Sequence, residues 1–243
     1  MSDWERFLGA EQRNAHFDWI NRGRSGPGRI VVEGADLSGA RFGGERLSGA
    51  RLVGCRLDQM AIDRTQLHEC EILDCAAHGG ALYGCEIFDG RMERCRFVDC
   101  NLSLSNFNNQ PVIDCDFTES GFERSTFVRC TVERVLFHRA LLRDTYLAES
   151  SFVDCDLQGA DLTLGTQTQL AIIRKTRFLR CDFRDADFEA RVLDDVVFEA
   201  CRFLGMKGKV KIIGPLEIVG ADVSAAGDGS QPADQVTIQR MWR

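Results

Sequence analysis

The sequence predicts an all-β solenoid, in which short extended segments wind into a coil around their own side chains. Three observations predict it. An apolar residue returns every five positions from Val32 to Leu162, a small residue stands two positions before most of these, and cysteines and charges repeat every 20 positions.

The five-residue series begins Val32, Leu37, Phe42, Leu47, Leu52 and ends Phe152, Leu157, Leu162; of its 27 positions only Ala77 lacks a large apolar side chain. A chain that is 44% hydrophobic does not hold such a phase by chance. The period is neither 3.6 nor 2, so it marks neither a long amphipathic helix nor a simple strand. Two positions earlier stand Ala35, Ala40, Ala50, Cys55, Thr65, Cys70, Cys75, Gly80 and Cys85. In an extended chain alternate residues face the same way, so both positions point inward. Each five-residue unit is then one side of a coil, with one large and one small residue inside.

Ala35-Asp36-Leu37-Ser38-Gly39 and Ala160-Asp161-Leu162-Thr163 match the A-[DN]-L-x-x motif, and Cys55-Arg56-Leu57, Cys115-Asp116-Phe117 and Cys181-Asp182-Phe183 are looser variants. On these residues the chain resembles the pentapeptide-repeat proteins over most of its length. The resemblance implies a right-handed, four-sided parallel β-helix with 20 residues per coil. Relatives of this kind include rods that protect bacterial type II topoisomerases from quinolones or toxins by imitating duplex DNA.

The 20-residue coil also follows from the sequence itself. Cys55, Cys75, Cys95, Cys115 and Cys155 share one phase, broken only by Val135, and are expected to stack as an inner ladder. At one outer corner Asp74, Arg94, Asp114, Arg134 and Asp154 alternate in sign, as cross-strand pairing favours. All eleven cysteines fall on the small inward position, where a thiol behaves as a small hydrophobe. They are therefore read as free structural thiols in a reducing, cytoplasmic setting rather than as disulfides or zinc ligands.

The N-terminal region 1–28 is expected to form a capping helix over about 3–22. Ser2-Asp3-Trp4-Glu5 is a capping box, Trp4, Phe7, Leu8, Phe17, Trp19 and Ile20 are an apolar face, and Gly23–Gly28 is a breaker. Repeats fill 29–223. Glycines 39, 44, 49 and 54 take early corners, and phenylalanine dominates the central position from Phe97 onward. On one outer side Leu73, Ile113 and Val153 alternate with Glu93 and Glu133, a candidate interaction strip; Val128, Leu136 and Leu141 are further outward apolar residues. The phase slips between Leu162 and Phe178, 16 positions apart rather than 15. A one-residue bulge, a six-residue loop that keeps Ile173 in the core, or an eleven-residue loop would each account for it. A protruding loop is favoured, and the resemblance makes Thr163, Gly165, Thr166, Gln167, Gln169, Arg174 and Lys175 a candidate partner-binding loop. Asp182, Asp185, Asp187, Glu189, Asp194, Asp195 and Glu199 form a candidate acidic face. Lys207-Gly208-Lys209 disturbs a coil before Ile213, Ile218 and Val223 return to phase. About nine coils result, a rod roughly 43 Å long. Residues 224–243 read as a flexible linker and an apolar end, Val236, Ile238, Met241 and Trp242, which either caps the last coil or pairs with a second copy.

Net charge is −7 and the pI about 5.2, which weighs against direct binding to nucleic acid or an anionic membrane. No secretory signal or membrane-spanning run is read in the sequence. The register leaves no catalytic set: His78 and His138 share an outer column three coils apart, His68 lies on another side, and no cysteine faces outward. No enzyme activity, metal or cofactor is expected. The expectation is a rigid protein-interaction scaffold. The alternative, carried by the resemblance, is a DNA-mimicking binder of DNA gyrase or topoisomerase IV.

Overall fold

A computed structural model describes residues 7, 9–24, 26–43, 47–165, 172–226 and 228–242. The capping-box residues Ser2–Glu5 and the apolar Leu8 lie outside them. The body is a parallel β-solenoid of about nine coils. Each regular coil advances the register by 20 residues, shown by Val32↔Leu52, Phe42↔Ile62, Ile72↔Met92 and Phe107↔Phe127. With five residues to a side, the coil has four sides. We number them by their central residues in one coil: side one carries Val112, side two Phe117, side three Phe122 and side four Phe127. Sides four and one join into a single 15-stranded sheet.

The five-residue series fills the interior. Twenty-six of its members are buried and Leu52 is partly so. From Phe97 onward the rings stack between coils, with Phe107 over Phe127 at 4.7 Å and Phe178 over Phe198 at 5.0 Å. Within a coil they meet edge to face, as Phe117 does Phe122 at 5.1 Å. In the first coils leucine and isoleucine replace phenylalanine, and an apolar cavity of about 30 Å³ remains among Ile30, Phe42, Met60 and Ile72. Every cysteine is buried and free.

The corners demand a left-handed backbone, and most non-glycine residues there are charged. Asp74, Arg94, Asp114, Arg134 and Asp154 all have φ between 49° and 54°. The coil holds these strained φ values by bonding each corner amide to the next coil, as the Asp74 amide does to the Glu93 carbonyl at 2.9 Å.

The interrupted coil contains six extra residues. Asp161↔Asp187, Leu147↔Ile173 and Phe152↔Phe178 are each 26 apart, and Ile173 is fully buried. The added length therefore lies between Gly165 and Ile172. Near the end, Leu193 pairs with Ile212, one short of a full coil, and Ile213 is 53% exposed instead of central. In the stretch 207–211 the lysines stay exposed and Val210 alone packs, partly buried, against the core.

Both ends are covered. The helix Ala10–Asn21 lies over the first coil, with His16 and Trp19 buried. Gly49 makes this contact possible: a Cβ there would stand 2.5 Å from the Trp19 ring. At the other end Pro232–Ala233 pairs antiparallel with Ala221–Asp222, and the Asp222 carboxylate accepts bonds from Ser224 and Gly229. The segment read as a linker thus carries structure. Asp234 caps the helix Gln235–Met241 through the Thr237 amide at 2.8 Å. Trp242 then closes over Phe188, Phe198 and Phe203.

Candidate interaction surfaces

The corner ladder pairs as its alternation predicts. Arg94 grips Asp74 with two bonds of 2.6 and 2.8 Å, Arg134 grips Asp114 at 2.6 and 3.1 Å, and Arg180 extends the series to Asp154 at 2.6 Å. These bonds hold the three aspartate carboxyls below their ordinary range. The pairs are exposed, so each contributes little to stability. Their consequence is electrostatic: one corner carries alternating signs along most of the rod. Asp36–Arg56, Arg96–Asp116, Arg129–Glu149 and Arg174–Asp194 repeat the pattern on other columns.

Side one carries an outer column that runs the length of the solenoid. Val53, Leu73, Glu93, Ile113, Glu133, Val153, Leu179, Glu199 and Val219 stand in register, each beside the next. The alternation of Leu73, Ile113 and Val153 with Glu93 and Glu133, expected from sequence, lies in the middle of a longer column, in which Val53 adjoins Leu73 and Leu179 adjoins Val153. Each of the three glutamates meets arginine. Glu93, only 6% exposed, lies between Arg91 and Arg94; Glu133 meets Arg134 at 3.1 Å and Glu199 meets Arg177. The column is therefore a half-buried apolar ridge interrupted by neutralised carboxylates. Leu136 and Leu141 are also exposed, but they lie on sides two and three.

The seven acids of 182–199 do not share a face. Their register puts Asp182 on side two beside Arg202, Asp187 on side three beside Lys207, Asp194 on side four beside Arg174 and Glu199 on side one beside Leu179. Asp185 and Asp195 occupy two corners, and the Glu189 carboxylate accepts the Lys209 amide at 2.9 Å. Eighteen residues nearly complete one coil, so an acidic cluster in sequence becomes a belt in space. Arg184 and Arg202 hold Asp182 at 2.8 and 2.9 Å.

The candidate loop separates likewise. Thr166, Gln167 and Gln169 lie outside the described residues. Thr163 donates to Asp161 at 3.0 Å and Gly165 to Asp144 at 2.6 Å, both in the coil before the insertion. Arg174 and Lys175 belong to the strand Ile172–Leu179 and its corner, past the insertion, so they are coil residues and not loop residues. Of the C-terminal four, Ile238 and Trp242 are buried within their own chain, Met241 is partly buried and Val236 is 53% exposed.

Sequence reasoning missed Arg191. Its charge suggests a surface position, yet its phase, ten residues before Cys201 and ten after Cys181, is that of a small inward residue. It is wholly buried, and its guanidinium donates to the Thr145 carbonyl and hydroxyl two coils away. In regular coils the equivalent carbonyls of Ser105 and Ser125 accept the Thr126 and Tyr146 amides. Among the described residues no amide reaches Thr145 O, because the coil that would supply it is the interrupted one. Arg191 replaces that donor. Burial pushes its pKa down to about 10. Counting phase backward from Cys201 would have found it.

Among the described residues no three metal-ligating side chains converge on a point, and no helix is long and apolar enough to cross a membrane. His68 stacks on Phe88 at 4.8 Å.

This architecture defines a β-helical repeat protein wound around a filled core. The family model for pentapeptide repeats matches the chain in eight copies, over residues 33–70 and 132–164. The five-residue register observed in the coils is the spacing of these repeats, and it continues outside the matched residues. Among solved structures it is similar to HetL, a pentapeptide-repeat protein involved in heterocyst differentiation regulation from the cyanobacterium Nostoc sp. strain PCC 7120. Identity is 15%, coverage 88% of this chain and 97% of that one, and the TM-score 0.41. It is also similar to QnrB1, a plasmid-mediated fluoroquinolone resistance protein, at 13% identity, 80% and 94% coverage and a TM-score of 0.47. No curated protein matches the chain.

Proposed function

We propose that the chain is a non-catalytic, rigid docking rod that engages a protein partner along side one. The outer column from Val53 to Val219 carries this reading. It is a straight row of apolar side chains at coil spacing, and its glutamates are neutralised by arginines. A surface of mixed polarity with little free charge suits a protein face. The runner-up reading, imitation of duplex DNA inside a type II topoisomerase, calls for one sign of charge along the rod. Here the corner ladder alternates in sign and the acidic cluster encircles a coil, which weighs against it.

The test places charge on the column. Ile113→Lys with Val153→Lys should abolish retention of the proteins held by the immobilised wild-type rod. Leu136→Lys with Leu141→Lys, on other sides, should leave retention intact. All variants should keep the strand signal in circular dichroism. Equal retention by the side-one variant would overturn the assignment of the docking side.

A further inference from the structure

We infer that the inner thiol ladder is a site for a soft, two-coordinate, monovalent cation of the Cu(I) or Ag(I) kind. Cys55, Cys75, Cys95 and Cys115 take the same inward position in four successive coils, and Cys155, Cys181 and Cys201 in three more. Cys75 rests against the Leu73 carbonyl at 3.3 Å, and the other six of the seven sulfurs rest against carbonyls of their own and the preceding coil. Cys95 does so at Ile72 and Glu93, both 3.2 Å, and Cys201 at Phe178 and Glu199, both 3.4 Å. A repeated orientation in stacked coils gives a file of sulfurs about 4.8 Å apart.

A metal–thiolate bond is roughly 2.3 Å. A cation midway between two stacked sulfurs would therefore meet both at bonding distance, in a line along the rod. Thiol ligands select soft ions such as Cu(I). Charge balance favours a monovalent ion. One thiol loses its proton to solvent as the cation enters, and the second sulfur binds through a lone pair with its proton kept. Thiolate and cation cancel, so no net charge is buried in the apolar interior. Entry requires local opening of the coils, because the seven sulfurs are at most 2% exposed.

The fold supplies its own control. Cys85, Cys100 and Cys130 neighbour serines in the next coil, and Cys70 neighbours Gly90, so none of these four has a stacked sulfur. The experiment titrates the reduced full-length chain with Ag(I), reading bound ions by native mass spectrometry, strand content by circular dichroism and metal–sulfur distance by X-ray absorption. Without shared sulfurs, the run of four takes two ions and the run of three takes one. The expected result is slow uptake with strand content intact and two sulfurs per silver. Cys95→Ala should remove one ion, Cys181→Ala another, and Cys130→Ala none. Alanine already fills this inward position at Ala140, Ala160 and Ala186, so the variants fold. Absence of uptake, uptake unchanged by the ladder variants, or uptake only as strand content collapses would each overturn the inference.

Discussion

At the residue scale, the central and corner positions of one coil contribute in opposite ways. Phe117 is fully buried and touches Phe97, Phe122 and Phe137. Arg94 sits in water and keeps only its carboxylate partners. Phe117→Ala should therefore cost about 3–5 kcal/mol in denaturant unfolding, as for other buried aromatics. Arg94→Ala should cost less than about 1 kcal/mol. A reversed order would mean that the corner ladder, and not the ring stack, holds the coils. Individual residues were legible in the sequence wherever the phase was unbroken. The cysteines, the phenylalanines and the Asp–Arg ladder all fall where the count of five and 20 puts them. Arg191 was not, because charge suggested a surface position while phase demanded an interior one. The deciding fact, a carbonyl left without its donor at Thr145, belongs to a different coil.

At the scale of elements, the ends and the insertion decide what the repeat cannot. His16 joins the N-terminal helix to the first coil: its Nδ1 accepts the Ile30 amide at 3.0 Å and its ring stacks on Trp19. Burial, with Arg29 and Arg24 nearby and no carboxylate facing it among the groups that shift it, lowers its pKa from 6.5 to about 4. An unfolded His16 takes up a proton near pH 6.5 while the docked one does not. Its stabilisation is therefore fully present above that pH and is lost as the pH falls toward 4, by an amount on the order of 2 kcal/mol. Denaturant unfolding at pH 7 and pH 4.5 should show a steeper loss for wild type than for His16→Gln. Parallel losses would show that the helix does not depend on a neutral His16. The helix end was legible from its breaker, whereas its start at Ala10, after Gly9, and its histidine contact were not. Pattern alone also left three sizes for the insertion open. Pairing of Leu147 with Ile173 selects six residues, a long-range fact that no local window contains.

At the scale of the whole molecule, a solenoid turns sequence distance into angle. Residues 20 apart become neighbours, while residues within one coil scatter over four sides. This is why the side-one column reads as isolated apolar residues in sequence and as one row, broken by glutamates, in space. It is also why the acids of 182–199 read as a face and form a belt. The mixed-sign exterior follows from the same arithmetic, since opposite charges 20 residues apart pair along the axis as cross-strand neighbours. Such an exterior offers no continuous polyanion. The direct measurement is a DNA gyrase supercoiling assay titrated with the purified chain, with and without a fluoroquinolone. The expected result is no inhibition and no drug protection even at large excess. Inhibition or protection at stoichiometric amounts would contradict the mixed-sign docking rod and favour DNA mimicry.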